Sequence, residues 1–554
     1  MGHEGRDLVR TRTALALVFA IALLAGACGR AAPTPTPSGS GSTSGGPALA
    51  VTTAPGSQPV DHITWALYRE TNSLDPIYAF DYPENTVVAL LCESLLRQAP
   101  DGSIGPGLAT LSTTNDTTLV FTLKDGITFW DGNPVTPADV VYSLQRNTNT
   151  SLGGYFPAVF SRVSSIAATG SNQVTITLKE PDYWLPGELA SMPGIVVEKS
   201  YVEAKGTDYG TSAGGAMCTG SYKLDSWKPG NVLSTVRNDS YWDTSVHPMV
   251  RQIDFKGAPD ITSLTSALLT GGINGYYSPG AMSTLDQLKQ SDKVTVTLGK
   301  SWATDAFIVS NAKGALGDPR VRQALSLALD RQGIIDTVYK GAAELPHSLS
   351  NPGTWGYGEQ VFADAYAALP PMTQDLTKAK QLIEQAGATG KTIVLGMSSE
   401  LNDIATEAGA YQTAAQAIGL KATLKSVSAN NYIDFFIDAK ARADVDGFFT
   451  VNYGDYADPA ALLATLVLPD GSQNYDAYNN PQVLALMNEA RSTADPDQRA
   501  QKVADAQKLI VQDMPWIPDV MPDGILVTSA NLTGAFASFD YMFAPWANTL
   551  GGTG

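Results

Sequence analysis

A layered α/β fold divided into several units is the expectation for this chain, on three observations. Its 554 residues exceed what one hydrophobic core serves and call for two or three subdomains. Stretches with period-2 apolar alternation interleave with stretches of helical period, which favours an α/β layer over an all-β sandwich. From 310 to about 450 the order is β–α–α–β–α–β, the rhythm of an open-sheet lobe.

The chain opens with Arg6, Arg10 and Arg12, then the apolar run TALALVFAIALLAGA (13–27), then Cys28. A basic start, an apolar run and a small-residue exit predict an export signal over 1–27. The run falls short of the roughly 20 residues of a membrane span. Ala25-Gly26-Ala27-Cys28 resembles the bacterial lipoprotein cleavage box, with Ala25 where Leu is usual. Cleavage there would leave a lipidated Cys28 and a membrane anchor. The Pro/Thr/Gly/Ser-rich stretch 28–59 is then a flexible tether, too poor in large apolar residues to fold.

The folded part is expected to begin near His62. Ile63, Trp65 and Leu67 alternate as a strand, and ENTVVALLCESLLR (84–97) reads as a helix containing Cys92. In TTLVFTLKDGITFWDG (117–132), Leu119, Phe121 and Leu123 share one face, and Asp125-Gly126 predicts a hairpin turn. Thr136, Pro137 and Asp139 form an N-cap, N1 and N3 series opening a helix over about 137–147. Strands follow at 172–180, on both sides of Pro229-Gly230, and at 250–257 and 293–299; between the last two, a helix stops at Gly271-Gly272. Asp318 and Pro319 open a helix over 319–339 interrupted by Gly333. Further helices read at 375–387 and 402–420, with strands at 391–397 and 421–427. A capped helix begins at 495 and runs into a Pro-broken apolar segment ending near 520.

Composition narrows the function. The chain holds 54 acidic and 36 basic residues, a net charge of −18. The first 27 residues carry one more basic than acidic group, so the exported form would be more negative still. Such a surface repels phosphates, which disfavours nucleic acid as a partner. Beyond Cys28 only Cys92 and Cys218 remain. In an exported chain they are expected to pair, the alternative being two buried thiols. His3, His62, His247 and His347 are isolated, so no metal site and no catalytic triad is read. A GxxxxGKS/T phosphate loop is absent, and GSGSTSG in the tether lacks the flanking strand and helix of a nucleotide fingerprint. No cofactor and no enzymatic activity are expected. Nine Trp and 22 Tyr can instead supply aromatic walls that enclose a small molecule, although ordinary packing explains most of them.

A series of stretches, in order, resembles the extracellular solute-binding proteins of family 5, the peptide, dipeptide and nickel class serving bacterial ABC importers. They are LDP (74–76), ESLL (93–96), DGSIGPGLA (101–109), FTLKDGITFWDGNPVTPADVVYSLQR (121–146), TGSYKLDSWKPG (219–230), RNDSYWD (237–243) and DPRVRQALSLALDR (318–331). The resemblance implies a class II (cluster C) periplasmic-binding-protein fold, with two main lobes around a ligand cleft and an inserted third domain. Lobe I would combine 60–105, 213–305 and 521–554, domain II would be 106–212, and lobe III 306–520.

In YGDYADP (453–459) the resemblance implies that Asp455 faces a peptide α-ammonium, because an ammonium desolvated without a partner is very costly. Read from the residues alone, Asp455 and Asp458 would be solvated loop acids. Many peptide binders have Trp at the place of Asn452, with Tyr453 beside it here, so the expected site is Asp455, Tyr453 and Asn452. Ser221 also departs from the family's usual Pro. The implied function is a monomeric, lipid-anchored, extracytoplasmic receptor that captures oligopeptides and passes them to ABC permease subunits. An oligosaccharide or other polar solute, or a signalling role without transport, are the alternatives; the lack of a histidine cluster disfavours nickel.

Overall fold

The computed structural model describes residues 49–399 and 401–554. The expected signal peptide (1–27), Cys28 and the expected tether up to residue 48 lie outside them. The tether was expected to extend to 59, but the chain is already bonded to the fold at Ala50. Ala50 N donates to Leu298 O at 2.9 Å, Gly56 N to Thr549 O at 2.9 Å and Ser57 N to Gly552 O at 2.9 Å. Backbone pairing needs no large side chains, so composition alone misplaced this boundary. Among the described residues no helix is long and apolar enough to cross a membrane.

Three larger sheets organise the chain. The first has seven strands, in the order Val294–Gly299, Gly524–Ser529, Gly275–Ser278, Val60–Leu67, Val250–Gly257, Val232–Arg237, Tyr222–Lys228. Val60–Leu67 lies at its centre, parallel to Val250–Gly257 and Gly275–Ser278. Ile63, Trp65 and Leu67 are buried as expected, but so are Thr64 and Ala66. Both faces of a central parallel strand are covered, and the small residues fill the second face.

The second sheet has six strands, in the order Ala343–Glu344, Trp516–Pro522, Thr304–Val309, Gly447–Asn452, Thr392–Ser398, Lys421–Val427. All six residues of Thr304–Val309 are buried. The segment after the last helix, expected to be broken by proline, is the strand Trp516–Pro522. It accommodates Pro518, which cannot donate to a ladder, at an irregularity: Ala306 pairs with Pro518 but Asp305 with Val520. Asp519 is therefore the extra residue of a bulge, a device that re-aims a side chain. Two short connections join these sheets, Lys300–Ala303 and the turn at Asp523. They run side by side, because Gly299 pairs with Gly524.

The third sheet is antiparallel, with four strands in the order Ala109–Asn115, Thr118–Leu123, Gln173–Leu178, Val163–Ala168. The hairpin expected at Asp125-Gly126 does not form. Thr118–Leu123 pairs instead with Ala109–Asn115 and Gln173–Leu178, and beyond the turn only a Thr128–Pro134 bridge appears. A second turn, Asp131-Gly132, follows too soon for a strand to grow. The helix Pro137–Thr148 has the expected capping box, with Thr136 N donating to Asp139 Oδ2 at 2.9 Å.

Two helices differ from expectation. The one read over 84–97 is Tyr82–Leu91 and ends at Cys92. Glu93 leaves it because three donors from distant segments claim its buried carboxylate, Thr219 Oγ1 (2.8 Å), Tyr241 OH (2.7 Å) and Trp242 Nε1 (2.8 Å), joined by the nearby Arg97 Nη2 (2.6 Å). Tertiary hydrogen bonds here outweigh helix propensity. The helix read over 319–339 is two, Pro319–Ala328 and Arg331–Thr337. Asp330 caps the second by accepting from Gly333 N at 3.0 Å. Cys92 and Cys218 form a disulfide across 126 residues, tying the end of Tyr82–Leu91 to the segment before Tyr222–Lys228.

Candidate functional site

A cavity of about 900 Å³ opens among the described residues, near the upper end of the usual range for small-molecule sites. One side is built by 67–82 and 230–283, from the first sheet and its connections. The opposite side is built by 337–338 and 401–475, from the second, and Tyr155 reaches in from the segment that carries the third. The walls are aromatic, as expected, but made of Tyr and Phe; no Trp lines them. Trp65, Trp302, Trp516 and Trp546 are fully buried core residues instead. Phe80 and Tyr155 stack at 4.6 Å, and Tyr82 meets Tyr453 edge-on at 4.9 Å.

All three residues expected at the site lie on this wall. Asn452 ends the strand Gly447–Asn452 and donates from Nδ2 to Gln473 Oε1 at 2.5 Å; Gln473 Nε2 donates onward to Tyr155 OH at 3.1 Å. Tyr453 OH donates to Phe80 O at 3.0 Å. A side chain on Gly454 would sit 2.7 Å from Ala461 Cβ, so glycine lets the loop turn tightly onto the next helix. That helix, Pro459–Val467, is capped by Asp458, which accepts from Ala460 N at 2.8 Å. Asp458 is thus a buried structural cap rather than a solvated loop acid. From the other side, Gln98 grips the loop: Nε2 donates to Asp455 O at 2.9 Å and Oε1 accepts from Ala457 N at 3.2 Å.

Asp455 is different. It is half-buried, open to the cavity, and among the described residues no cation pairs with its carboxylate. Burial pushes it up to about 7. Glu188, behind it, is pushed well up by burial and then by the negative charge of Asp455. Burial also raises Tyr155 to about 12. The loop is therefore a rigid mount for one unpaired acid facing an enclosed space.

Residue-level sequence reading missed the rest of the wall. Asp403 lines the cavity from the first turn of Asn402–Ala417, where an acid reads simply as favourable to the helix dipole. Arg69 donates to both oxygens of Glu84 at 2.8 Å and to Asp81 at 2.5 Å. Glu70 accepts from Gly230 N at 2.8 and 2.9 Å. Behind the wall, Asp305, Glu407 and Asp519 bring carboxylate oxygens within 4.8 Å of one another, all buried. Tyr339 OH donates to Asp305 at 2.7 Å, and Tyr411 OH donates to Asp519. Gly210–Gly214 matches a GxSxG spacing, but Ser212 lies in a run of turns with no helix after it, so it builds no nucleophile elbow.

The sequence matches the family described as bacterial extracellular solute-binding proteins, family 5 (middle region), over residues 103–474. It is 26% identical over 472 residues to the periplasmic oligopeptide-binding protein OppA of Salmonella typhimurium, covering 81% of this chain and 85% of the relative. It is 24% identical over 484 residues to the glutathione-binding protein GsiB of Escherichia coli, covering 85% and 91%. The fold resembles that of the ABC transporter-associated periplasmic binding protein DppA from Helicobacter pylori, solved with the peptide STSA, with a TM-score of 0.78 at 20% identity over 90% of this chain and 99% of that one. These relatives are named as binding proteins, not enzymes. This chain belongs to the bacterial extracellular solute-binding proteins of family 5.

Proposed function

We propose that this protein is the substrate-binding component of an ABC importer, capturing oligopeptides by pairing their N-terminal ammonium with Asp455. The observation that carries this reading is Asp455 itself: an unpaired acid on a clamped loop, facing a cavity large enough for a short peptide. An ammonium in that place would supply the missing countercharge to a desolvated carboxylate, and the pair would be charge-assisted. The phenol and phenyl walls suit variable side chains, because their contacts need no particular partner. The names of the relatives, oligopeptide-binding and glutathione-binding, denote peptidic ligands.

In this reading lobe I (60–105, 213–305, 521–554) and lobe III (306–520) close about the paired connections at Lys300–Ala303 and Asp523, while 106–212 rides as domain II. A lipid on Cys28 keeps the receptor near its permease; Cys28→Ala should then move the protein from membranes to the medium. Titration calorimetry against a mixed short-peptide library and a panel of oligosaccharides tests the substrate class. Peptide binding without sugar binding is expected, and sugar binding without peptide binding would overturn it.

A further inference from the structure

The charges on the cavity wall do not balance. Four acids line it, Glu70, Asp81, Asp403 and Asp455, against one cation, Arg69. Arg69 is not free to meet a ligand anion. Glu84 engages it through both oxygens, Asp81 engages it again, and its Nη1 also donates to Glu70 O at 2.8 Å. Asp81 in turn accepts from Tyr68 OH at 2.5 Å and from Tyr82 N at 2.8 Å, and Glu70 is held by Gly230 N. Arg442, which stacks 4.4 Å from the centre of the Tyr475 ring, spends Nη1 on Phe435 O at 2.8 Å and does not line the cavity. The two acids left over are Asp455 and Asp403.

Asp403 stands apart from Asp455. Its charge is felt by Tyr276 and Tyr432 and, behind the wall, by Asp305, Tyr339 and Glu407, whereas that of Asp455 is felt by Tyr155, Glu188 and Tyr453. A Cβ placed on Gly280 would lie 3.5 Å from Asp403 Oδ2. This carboxylate therefore sits beside the turn after Gly275–Ser278, at the start of the helix Asn402–Ala417. One oxygen of Asp403 accepts from Ile404 N at 2.9 Å, and among the described residues no cation faces the other.

We propose that the cavity is selective for basic peptides, with Asp403 as a second anionic anchor that takes a Lys or Arg side chain while the ligand's carboxylate end goes without an ion-pair partner. The proposal rests on the peptide reading above and adds a charge requirement to it. A cationic side chain at Asp403 relieves a desolvated acid. A ligand acid placed on the same wall meets like charge with no free donor cation to offset it, which is discrimination by repulsion as well as by attraction.

The test is calorimetry with tetra-alanine and with tetrapeptides in which one internal alanine is replaced by lysine or by glutamate, each as free acid and as C-terminal amide. The lysine peptide should bind at least about tenfold tighter than the glutamate peptide, and amidation should not weaken binding. Asp403→Asn should shrink the lysine-to-glutamate ratio, and Asp403→Glu should keep it, which separates charge from folding. A glutamate peptide that binds as well as the lysine one, a tenfold loss on amidation, or a ratio untouched by Asp403→Asn would overturn the proposal. Should no peptide bind, the peptide reading fails on its own, and thermal shifts with spermidine and citrate then decide the charge requirement. A shift with spermidine alone supports it, and any other result overturns it.

Discussion

Asp403 and Glu407 are four residues apart on the helix Asn402–Ala417, hence on one side of it, yet they belong to opposite kinds of site. Asp403 lines the cavity together with the Asp455 loop. Glu407 turns into a sealed cluster with Asp305 and Asp519, where Asp305 Oδ1, Glu407 Oε1 and Asp519 Oδ2 have no hydrogen-bond partner. Burial raises every one of these acids: Asp455 to about 7, Asp305 to about 6, and Asp403, Glu407 and Asp519 upward. A raised acid alone is therefore no mark of a binding residue. What separates the two groups is whether a ligand can reach them: a cation can neutralise the cavity acids, while hydrogen bonds and protons must satisfy the sealed ones.

The comparison breaks most visibly by substitution. Asp455→Asn should weaken an α-amino peptide about 100-fold, the order expected when one partner of an enclosed charge pair is removed, as read by calorimetry at pH 7.5. Glu407→Gln should leave peptide affinity alone and raise stability at the same pH by about 1–3 kcal/mol in denaturant melts, because the folded state no longer holds a desolvated acid. An affinity loss in Glu407→Gln would merge the two groups again.

Their pH dependence should have opposite signs. In the sealed cluster the folded state keeps protons that the unfolded chain releases near 4. The native state then binds more protons between that value and the raised ones, so this contribution to stability is complete below about 4 and is lost as pH rises through about 6 and beyond. Subtracting the Glu407→Gln stability profile from that of the native protein isolates it. Peptide affinity should instead rise as pH passes through about 7, where Asp455 ionises, and fall again above about 8 as the ligand ammonium loses its proton. The smallest effect expected is that of Gln98→Ala. Losing the grip on Asp455 O and Ala457 N should weaken peptide binding about fivefold, near 1 kcal/mol.

Much of the local structure could be read in the sequence because its causes are local. Lys421–Val427 and Val250–Gly257 follow from apolar patterning, and Pro137–Thr148 from its capping box. Asp455 was reachable only through the motif YGDYADP; nothing in its own neighbourhood distinguishes it from Asp458, which proved to be a cap. Asp403 looked like an ordinary first-turn acid, and only the approach of Gly280 from a segment over 100 residues away gives it a site. The sealed cluster was hidden for the same reason. It joins a strand, a helix and a bulge from three distant segments, and Pro518, which creates the bulge, reads in sequence as a strand breaker. Glu93 shows the converse: a residue of good helix propensity drawn out of its helix by three distant donors, Thr219, Tyr241 and Trp242.

The most direct test is a double-mutant cycle read by calorimetry at pH 7.5, pairing a free-amine tetrapeptide and its N-acetylated form with the native protein and with Asp455→Asn. Acetylation should cost about 100-fold against the native protein and little against Asp455→Asn, which gives a large coupling between ammonium and carboxylate. An equal cost of acetylation in both proteins would contradict the assignment of Asp455 as the ammonium's partner.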